Sequence, residues 1–195
     1  MEKEALKRIF EFLEEKEEHN PPFLWKWKNE IPLTEEDLDI EGDLDLTLSN
    51  IESLPEGLKV RGYLSLSYTN VTSLPKGLEV GGTLYFSYSK VTSLPEGLKV
   101  SGTLDLSYSK IISLPKGLVV GKNLFLTDTK ITSLPEGLKV GSNLGLGNTN
   151  ITSLPKGLKV GGNLPIRNTA LLEYTDEELR EMVKPGFIKG YIFRR

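Results

Sequence analysis

One block, Ser-Leu-Pro-x-Gly-Leu, begins at Ser53 and returns at Ser73, Ser93, Ser113, Ser133 and Ser153, a fixed period of 20 residues. A strict period means that one structural unit stacks on copies of itself. Between the blocks lie alternating apolar pairs, Leu44/Leu46, Leu64/Leu66, Leu84/Phe86, Leu104/Leu106, Leu124/Leu126, Leu144/Leu146 and Leu164/Ile166. A further apolar mark follows at Ile51, Val71, Val91, Ile111, Ile131 and Ile151. Period-2 alternation is a short strand with one buried face. With one such strand per 20 residues, too little chain is left for a full crossover helix, so the return path is extended or made of tight turns. The chain coils, each strand lying parallel to the next at about 4.8 Å, and no coil buries its apolar edge without a neighbour.

Seven parallel strands are expected, starting near residues 42, 62, 82, 102, 122, 142 and 162, each about four or five residues long. Leu94, Leu98 and Val100, with their equivalents, fill the core from the return side; Pro95 restricts the turn and Gly97 relaxes it. The column Gly42, Gly62, Gly82, Gly102 continues as Lys122 and Ser142. An unpaired buried lysine is costly, so this dipeptide is a turn and the strand proper begins after it. Ser49, Thr69, Ser89, Ser109, Thr129, Thr149 and Thr169 form a hydroxyl column that is expected to satisfy turn amides inside the coils.

The series Leu84-x-Phe86-x-x-Ser89-x-Val91, then Leu94-Pro95, resembles the strand-and-turn segment of leucine-rich repeats. The proline-marked unit is similar to the short bacterial class found in secreted effector proteins. The resemblance covers about residues 38 to 172. It implies a leucine-rich-repeat solenoid with a curved surface that grips a partner protein. Where that class builds an asparagine ladder this chain has Ser or Thr, and Gly81, Gly121, Gly141 and Gly161 stand near its missing first leucine. Some members carry a ubiquitin ligase domain with a cysteine nucleophile; this chain has no cysteine, so that activity is not carried over.

Three segments follow: an N-terminal capping helix and aromatic plug over 1–33, the solenoid over 34–172, and a C-terminal cap over 173–195. The first has a helix from about Glu2 to Glu18, its apolar stripe being Leu6, Ile9, Phe10 and Leu13. Pro21 and Pro22 stop it before the plug of Phe23, Leu24, Trp25 and Trp27. Thr34 is an N-cap ahead of Glu35-Glu36-Asp37-Leu38. Thr175-Asp176-Glu177-Glu178 reads as a capping box, with Leu179, Met182 and Val183 facing the last coil. The apolar tail Phe187 to Phe193 seals the end as a strand, or docks a partner.

Composition narrows the function. Without cysteine, and with His19 as the one histidine, the chain builds no thiolate site, histidine metal cluster or histidine triad. No cofactor, metal site or catalytic residue is expected. Net charge is −3, yet residues 1–48 carry 15 acidic and 6 basic side chains and residues 49–195 carry 12 and 18. Such asymmetry orients encounters or reflects an acidic cap. The start Met1-Glu2-Lys3-Glu4 does not read as a secretory signal, and no apolar run reaches spanning length. A monomer, cytoplasmic or delivered without a classical signal, is expected.

Specificity belongs to the columns that vary. Outward strand positions include Tyr63, Tyr85, Asp105 and Phe125; just past the strand stand Leu48, Tyr68, Tyr88, Tyr108, Asp128, Asn148 and Asn168. Tyrosine is enriched at interfaces because it offers area at low entropy cost, although stacked rings also shield a core edge. Lys90, Lys110 and Lys130 stack like upon like, whereas Glu56, Lys76, Glu96, Lys116, Glu136 and Lys156 alternate in sign. The expected protein-binding set is therefore Tyr63, Tyr68, Tyr85, Tyr88, Lys90, Asp105, Tyr108, Lys110, Phe125 and Lys130. Interleaved Tyr88/Lys90 and Tyr108/Lys110 also suit nucleic acid, but Glu41, Asp43 and Asp45 would repel its backbone. A glycosidase using Asp43, Asp45 or Asp105 is a third reading, which carboxylates alone do not carry without a deep pocket and a perturbed pKa. A man-made or purely structural scaffold fits the regular unit but not the irregular aromatic columns and elaborate ends.

Overall fold

The computed structural model describes residues 23–195. The helix expected over Glu2 to Glu18 lies outside them. Two compact units divide the chain, residues 1–39 and residues 40–195.

The described part of the first unit holds two short helices, α1 (Phe23–Lys28) and α2 (Glu35–Leu38). Phe23 is buried, while Leu24, Trp25 and Trp27 are half-buried. The plug segment is thus helical and only partly enclosed. Lys26 is buried too, and its ammonium donates to both Asp37 carboxylate oxygens at 3.0 Å. Thr34 caps α2 as expected: its hydroxyl accepts from the Asp37 amide, and Asp37 Oδ2 accepts from the Thr34 amide at 2.8 Å. Burial alone would raise the Asp37 pKa, but the Thr34 bonds and Lys26 outweigh it and hold the carboxyl below its ordinary range.

In the second unit every coil carries two strands of two residues each. In chain order the pairs are β1 (Asp39–Ile40) and β2 (Leu44–Asp45), β3 (Lys59–Val60) and β4 (Leu64–Ser65), β5 (Glu79–Val80) and β6 (Leu84–Tyr85), β7 (Lys99–Val100) and β8 (Leu104–Asp105). There follow β9 (Val119–Val120) and β10 (Leu124–Phe125), β11 (Lys139–Val140) and β12 (Leu144–Gly145), β13 (Lys159–Val160) and β14 (Leu164–Pro165), and β15 (Phe187–Ile188) and β16 (Ile192–Phe193). Odd-numbered strands form an eight-stranded parallel back sheet. Even-numbered strands β2 to β12 form a six-stranded parallel front sheet, and β14 pairs with β16 in a two-stranded one. Across the six the register does not drift: Leu64 pairs with Leu84, Leu84 with Leu104, Leu104 with Leu124.

The parallel solenoid is as expected; its strands differ. Front strands begin at 44, 64, 84 and onward rather than at 42, 62 and 82, because the preceding dipeptide is a bend. Its backbone still links the coils, Gly62 donating to Gly42 at 3.0 Å and Lys122 to Gly102 at 3.0 Å. The Lys122 side chain is exposed there. Front hydrogen bonding outruns the two-residue strands: Leu64, Leu66 and Tyr68 donate to the carbonyls of Thr83, Tyr85 and Ser87 at 2.9, 2.8 and 3.0 Å. The return path contains the second sheet, whose inward residue is the valine of each Lys-Val or Glu-Val pair. Gly81 donates to Val60 at 2.8 Å, so the back ladder runs from each coil to the one before it.

Each coil buries the same set. Leu64, Leu66, Val71, Leu74, Leu78 and Val80 are core residues, and Phe86 and Leu106 are fully enclosed. The Leu-Pro-x-Gly turn needs its glycine: Gly77, Gly97 and Gly117 have φ of +77°, +73° and +75°, a region that a Cβ disfavours.

The hydroxyl column is buried apart from the half-buried Ser49, but its bonding is not the one expected. Thr69, Thr129, Thr149 and Thr169 donate to the carbonyl three residues back, each at 2.7 Å. They satisfy carbonyls within their own turn rather than amides. Ser109 alone accepts, from the Ile111 amide at 3.4 Å, and the hydroxyls of Ser49 and Ser89 have no partner among the described residues. Threonine's second γ substituent fixes the rotamer; serine leaves it loose.

The last step is longer, pairing Lys159 with Phe187 where earlier coils pair residues 20 apart. It contains a 3-10 turn (Ala170–Glu173) and α3 (Asp176–Met182). The Thr175/Glu178 capping box forms as expected. Leu179 and Val183 are fully buried, and Met182 is half-buried. The tail supplies β15, which extends the back sheet, and β16, which pairs with β14 in the two-stranded sheet. Arg180 then donates to the carbonyls of Ile188 and Gly190, the acceptors that a further back strand would use.

Candidate protein-binding surface

At the end of each front strand the chain turns sharply through one residue in the left-handed region. Leu48, Tyr68, Tyr88, Tyr108, Asp128, Asn148 and Asn168 have φ of +60°, +57°, +58°, +58°, +57°, +56° and +54°. Asn and Asp tolerate this conformation; for a bulky side chain it costs about 1–2 kcal/mol. The Tyr88 amide stays in the strand ladder, donating to the Ser107 carbonyl at 3.1 Å. The tyrosine column therefore belongs to the ladder, which the sequence did not suggest.

The three rings stack face to face. Tyr68 and Tyr88 have centroids 4.7 Å apart and 8° between planes; Tyr88 and Tyr108 are 4.5 Å and 3°. About half of each side chain's surface stays open, at 52%, 47% and 46% exposure. Asp128 follows in the column, and its carboxylate, together with the neighbouring Tyr88, pushes the Tyr108 phenol pKa upward. Asn148 donates to both Asp128 oxygens at 3.0 Å, and Asn168 donates to Asn148 at 2.8 Å. The inner ring faces are occupied by one another, so ring edges and hydroxyls meet solvent. No gap admits an intercalated base.

Lys90, Lys110 and Lys130 stand two residues further on, exposed and without an ion pair among the described residues. The sign-alternating column from Glu56 to Lys156 is exposed as well, and its charges also make no direct pair.

On the front face Tyr63 and Tyr85 meet edge to face at 6.0 Å and 73°. Asp105 is already engaged: it accepts from the Ser87 hydroxyl at 2.7 Å and the Ser107 amide at 2.9 Å. Phe125 leans over the next coil, where a Cβ on Gly145 would come within 3.0 Å of its ring. Gly145 thus makes room for Phe125. The structure gathers Tyr63 and Tyr85 on the front sheet, and Tyr68, Tyr88, Tyr108 and the lysines on the edge beside it.

Two features escaped the sequence reading. The outward column through Asp43, Thr83, Asn123, Asn143 and Asn163 is a hydrogen-bond ladder. These side chains accept from the amides of Tyr63, Thr103, Asn143, Asn163 and Tyr191 at 2.8, 3.3, 3.1, 2.8 and 2.9 Å. The signal was present: these five members carry an oxygen close to the backbone, whereas the Tyr63 oxygen sits at the far end of its ring and Thr103 accepts from the Asn123 side-chain amide at 3.3 Å. The second is Ile112, 59% exposed in a column otherwise filled by Glu52, Thr72, Thr92, Thr132 and Thr152.

For carboxylate chemistry the front face is poorly set. The Thr47 hydroxyl and amide hold Asp45 below its ordinary pKa, opposite to what a general acid requires. A groove of about 500 Å³ lies instead toward the back sheet, lined by Gly77, Glu79, Pro95, Glu96, Gly97 and Lys99, and it contains none of Asp43, Asp45 or Asp105. Among the described residues no cluster of His, Cys, Asp or Glu is arranged to hold a metal ion, and no helix is long and apolar enough to cross a membrane.

No family model matches the chain, and no curated protein sequence matches it. Among solved structures it is similar to one described as the Shigella effector LRR domain, at 20% identity and a TM-score of 0.48, covering 78% of this chain and 80% of that one.

Proposed function

We propose that this leucine-rich-repeat solenoid is a non-catalytic module that binds another protein. The binding surface comprises the front aromatics Tyr63, Tyr85 and Phe125, with Asp105 beside them, and the edge of Tyr68, Tyr88, Tyr108, Lys90, Lys110 and Lys130. One observation carries the reading. Three bulky rings occupy a left-handed backbone position that Asp128, Asn148 and Asn168 fill without steric penalty a few coils later. Ring stacking offsets part of that penalty. It also freezes the rings, so a partner meets an aromatic surface whose entropy is already lost. Strain retained at exposed residues points to a use outside folding.

The test exchanges the chemistry of one half for that of the other. Tyr88→Asn/Tyr108→Asn installs residues suited to the left-handed turn, so the thermal midpoint should change little. Affinity for the native partner, identified by crosslinking and measured by calorimetry, should fall at least about tenfold, or about 1.4 kcal/mol. Unchanged affinity would return the tyrosines to a structural role.

A further inference from the structure

Taking the edge as a protein-binding surface, we infer that its partner is an acidic amphipathic α-helix lying along the stacking axis of the coils. Lys90, Lys110 and Lys130 present one uncompensated cation per coil. The pitch of the coils at this edge is given by the rings, 4.7 and 4.5 Å. A helix rises about 1.5 Å per residue, so carboxylates at i, i+3 and i+7 stand about 0, 4.5 and 10.5 Å along it, within about 1.3 Å of three successive coils and inside the reach of a lysine side chain. Residues on one face of an extended segment recur about every 6.8 Å and fall out of step by the third coil.

Ile112 supplies the apolar half of the recognition. It lies in the same coil as Tyr108 and Lys110, the middle coil of the lysine row. Buried Ile111 separates it from Lys110, so both exposed side chains leave the coil outward. A helix whose acidic stripe lies over the lysines sets its apolar flank on Ile112 and its other flank against the tyrosine edges. Lysine with flanking apolar contact is the pattern that an amphipathic helix reads. Asp128 closes the tyrosine column with a negative charge, which confines the acidic stripe to the lysine side.

Two labelled peptides of about 18 residues, long enough to hold a helix, decide the matter by fluorescence anisotropy on the full chain. Both have one composition. The first places glutamates at i, i+3 and i+7 with leucines on one flank; the second places the glutamates at alternate positions. The first should bind at least about tenfold more tightly, or about 1.4 kcal/mol, and weaken as salt rises. Ile112→Thr, which restores the residue of the neighbouring coils, should weaken the first peptide about threefold, the scale of lost partial apolar burial. It should leave the second peptide and the thermal midpoint unchanged. No measurable binding of the first peptide, equal binding of both, or tighter binding of a single-stranded oligonucleotide would overturn the inference. If the native partner still depends on Tyr88 and Tyr108 while the helical peptide fails, only the helix is lost; if neither depends on them, the interface reading fails as well.

Discussion

The coils ending in Tyr68, Tyr88 and Tyr108 and those ending in Asp128, Asn148 and Asn168 share one backbone, with φ between +54° and +58° at the turn. Their ladders use different forces. In the first half, flat rings stack and leave their edges in water. In the second, amide and carboxylate groups bond from coil to coil at 2.8 to 3.0 Å. Amides fit the left-handed turn and use their polarity on one another. Tyrosines fit it badly and remain available to something else. The same scaffold carries a bonded polar column on one stretch and a half-exposed aromatic one on the other.

The largest expected effect ignores the division. Leu106→Ala and Leu146→Ala each empty a fully buried site, one in each half, and should cost about 2–5 kcal/mol in urea unfolding. A much smaller loss in the tyrosine half would mean that the two cores are not equivalent. Next comes the strained turn itself. Both Tyr88→Ala and Tyr88→Gly lose the ring stack, but only alanine keeps the left-handed penalty, so glycine should be more stable by about 1–2 kcal/mol. Equal stability would show that the turn relaxes once the ring is gone, and the strain argument would fail.

The junction offers a pH test. The Tyr108 phenol pKa lies above its ordinary value, chiefly because of Asp128. The folded state therefore favours neutral Tyr108: its contribution is fully present below the unfolded pKa of about 10 and is lost as pH rises through the folded value. In an absorbance titration Tyr63 and Tyr108 should ionise late in the native protein, and Asp128→Asn should bring only one of the two, Tyr108, earlier. No movement would remove Asp128 as the cause. Smallest of all is Lys116→Ala on the alternating column, expected to cost under about 0.5 kcal/mol, as exposed charges do. A larger loss would show that this column holds the coils together.

The period alone placed the core. Leu64, Leu84 and Leu104 pair in register because nothing in 20 residues allows drift, Thr34 marked a helix start as an N-cap residue, and Thr175 marked one by its spacing to Glu178. The back sheet was hidden, since two residues such as Lys59–Val60 are too short to show alternation. The acceptor ladder was read as variable surface because Asp, Thr and Asn look unlike one another until one asks which atom points to the next coil. Nothing in the letters of Tyr68 announces a left-handed turn; only Asn148 and Asn168, at the equivalent position, hint at it. The candidate site was legible as a set of columns. The stacking of its rings was legible from the period; the left-handed turn beneath them, the commitment of Asp105 and the exposure of Ile112 needed coordinates.

Arg180 has a consequence beyond the fold of the last coil. A stack of identical coils has no intrinsic length: every back strand offers its outer carbonyls to a successor, and any extended segment of another molecule qualifies. By occupying the carbonyls of Ile188 and Gly190, one guanidinium serves as a chain terminator for a growing sheet. Removing it would leave those two carbonyls open to an extended segment of another molecule.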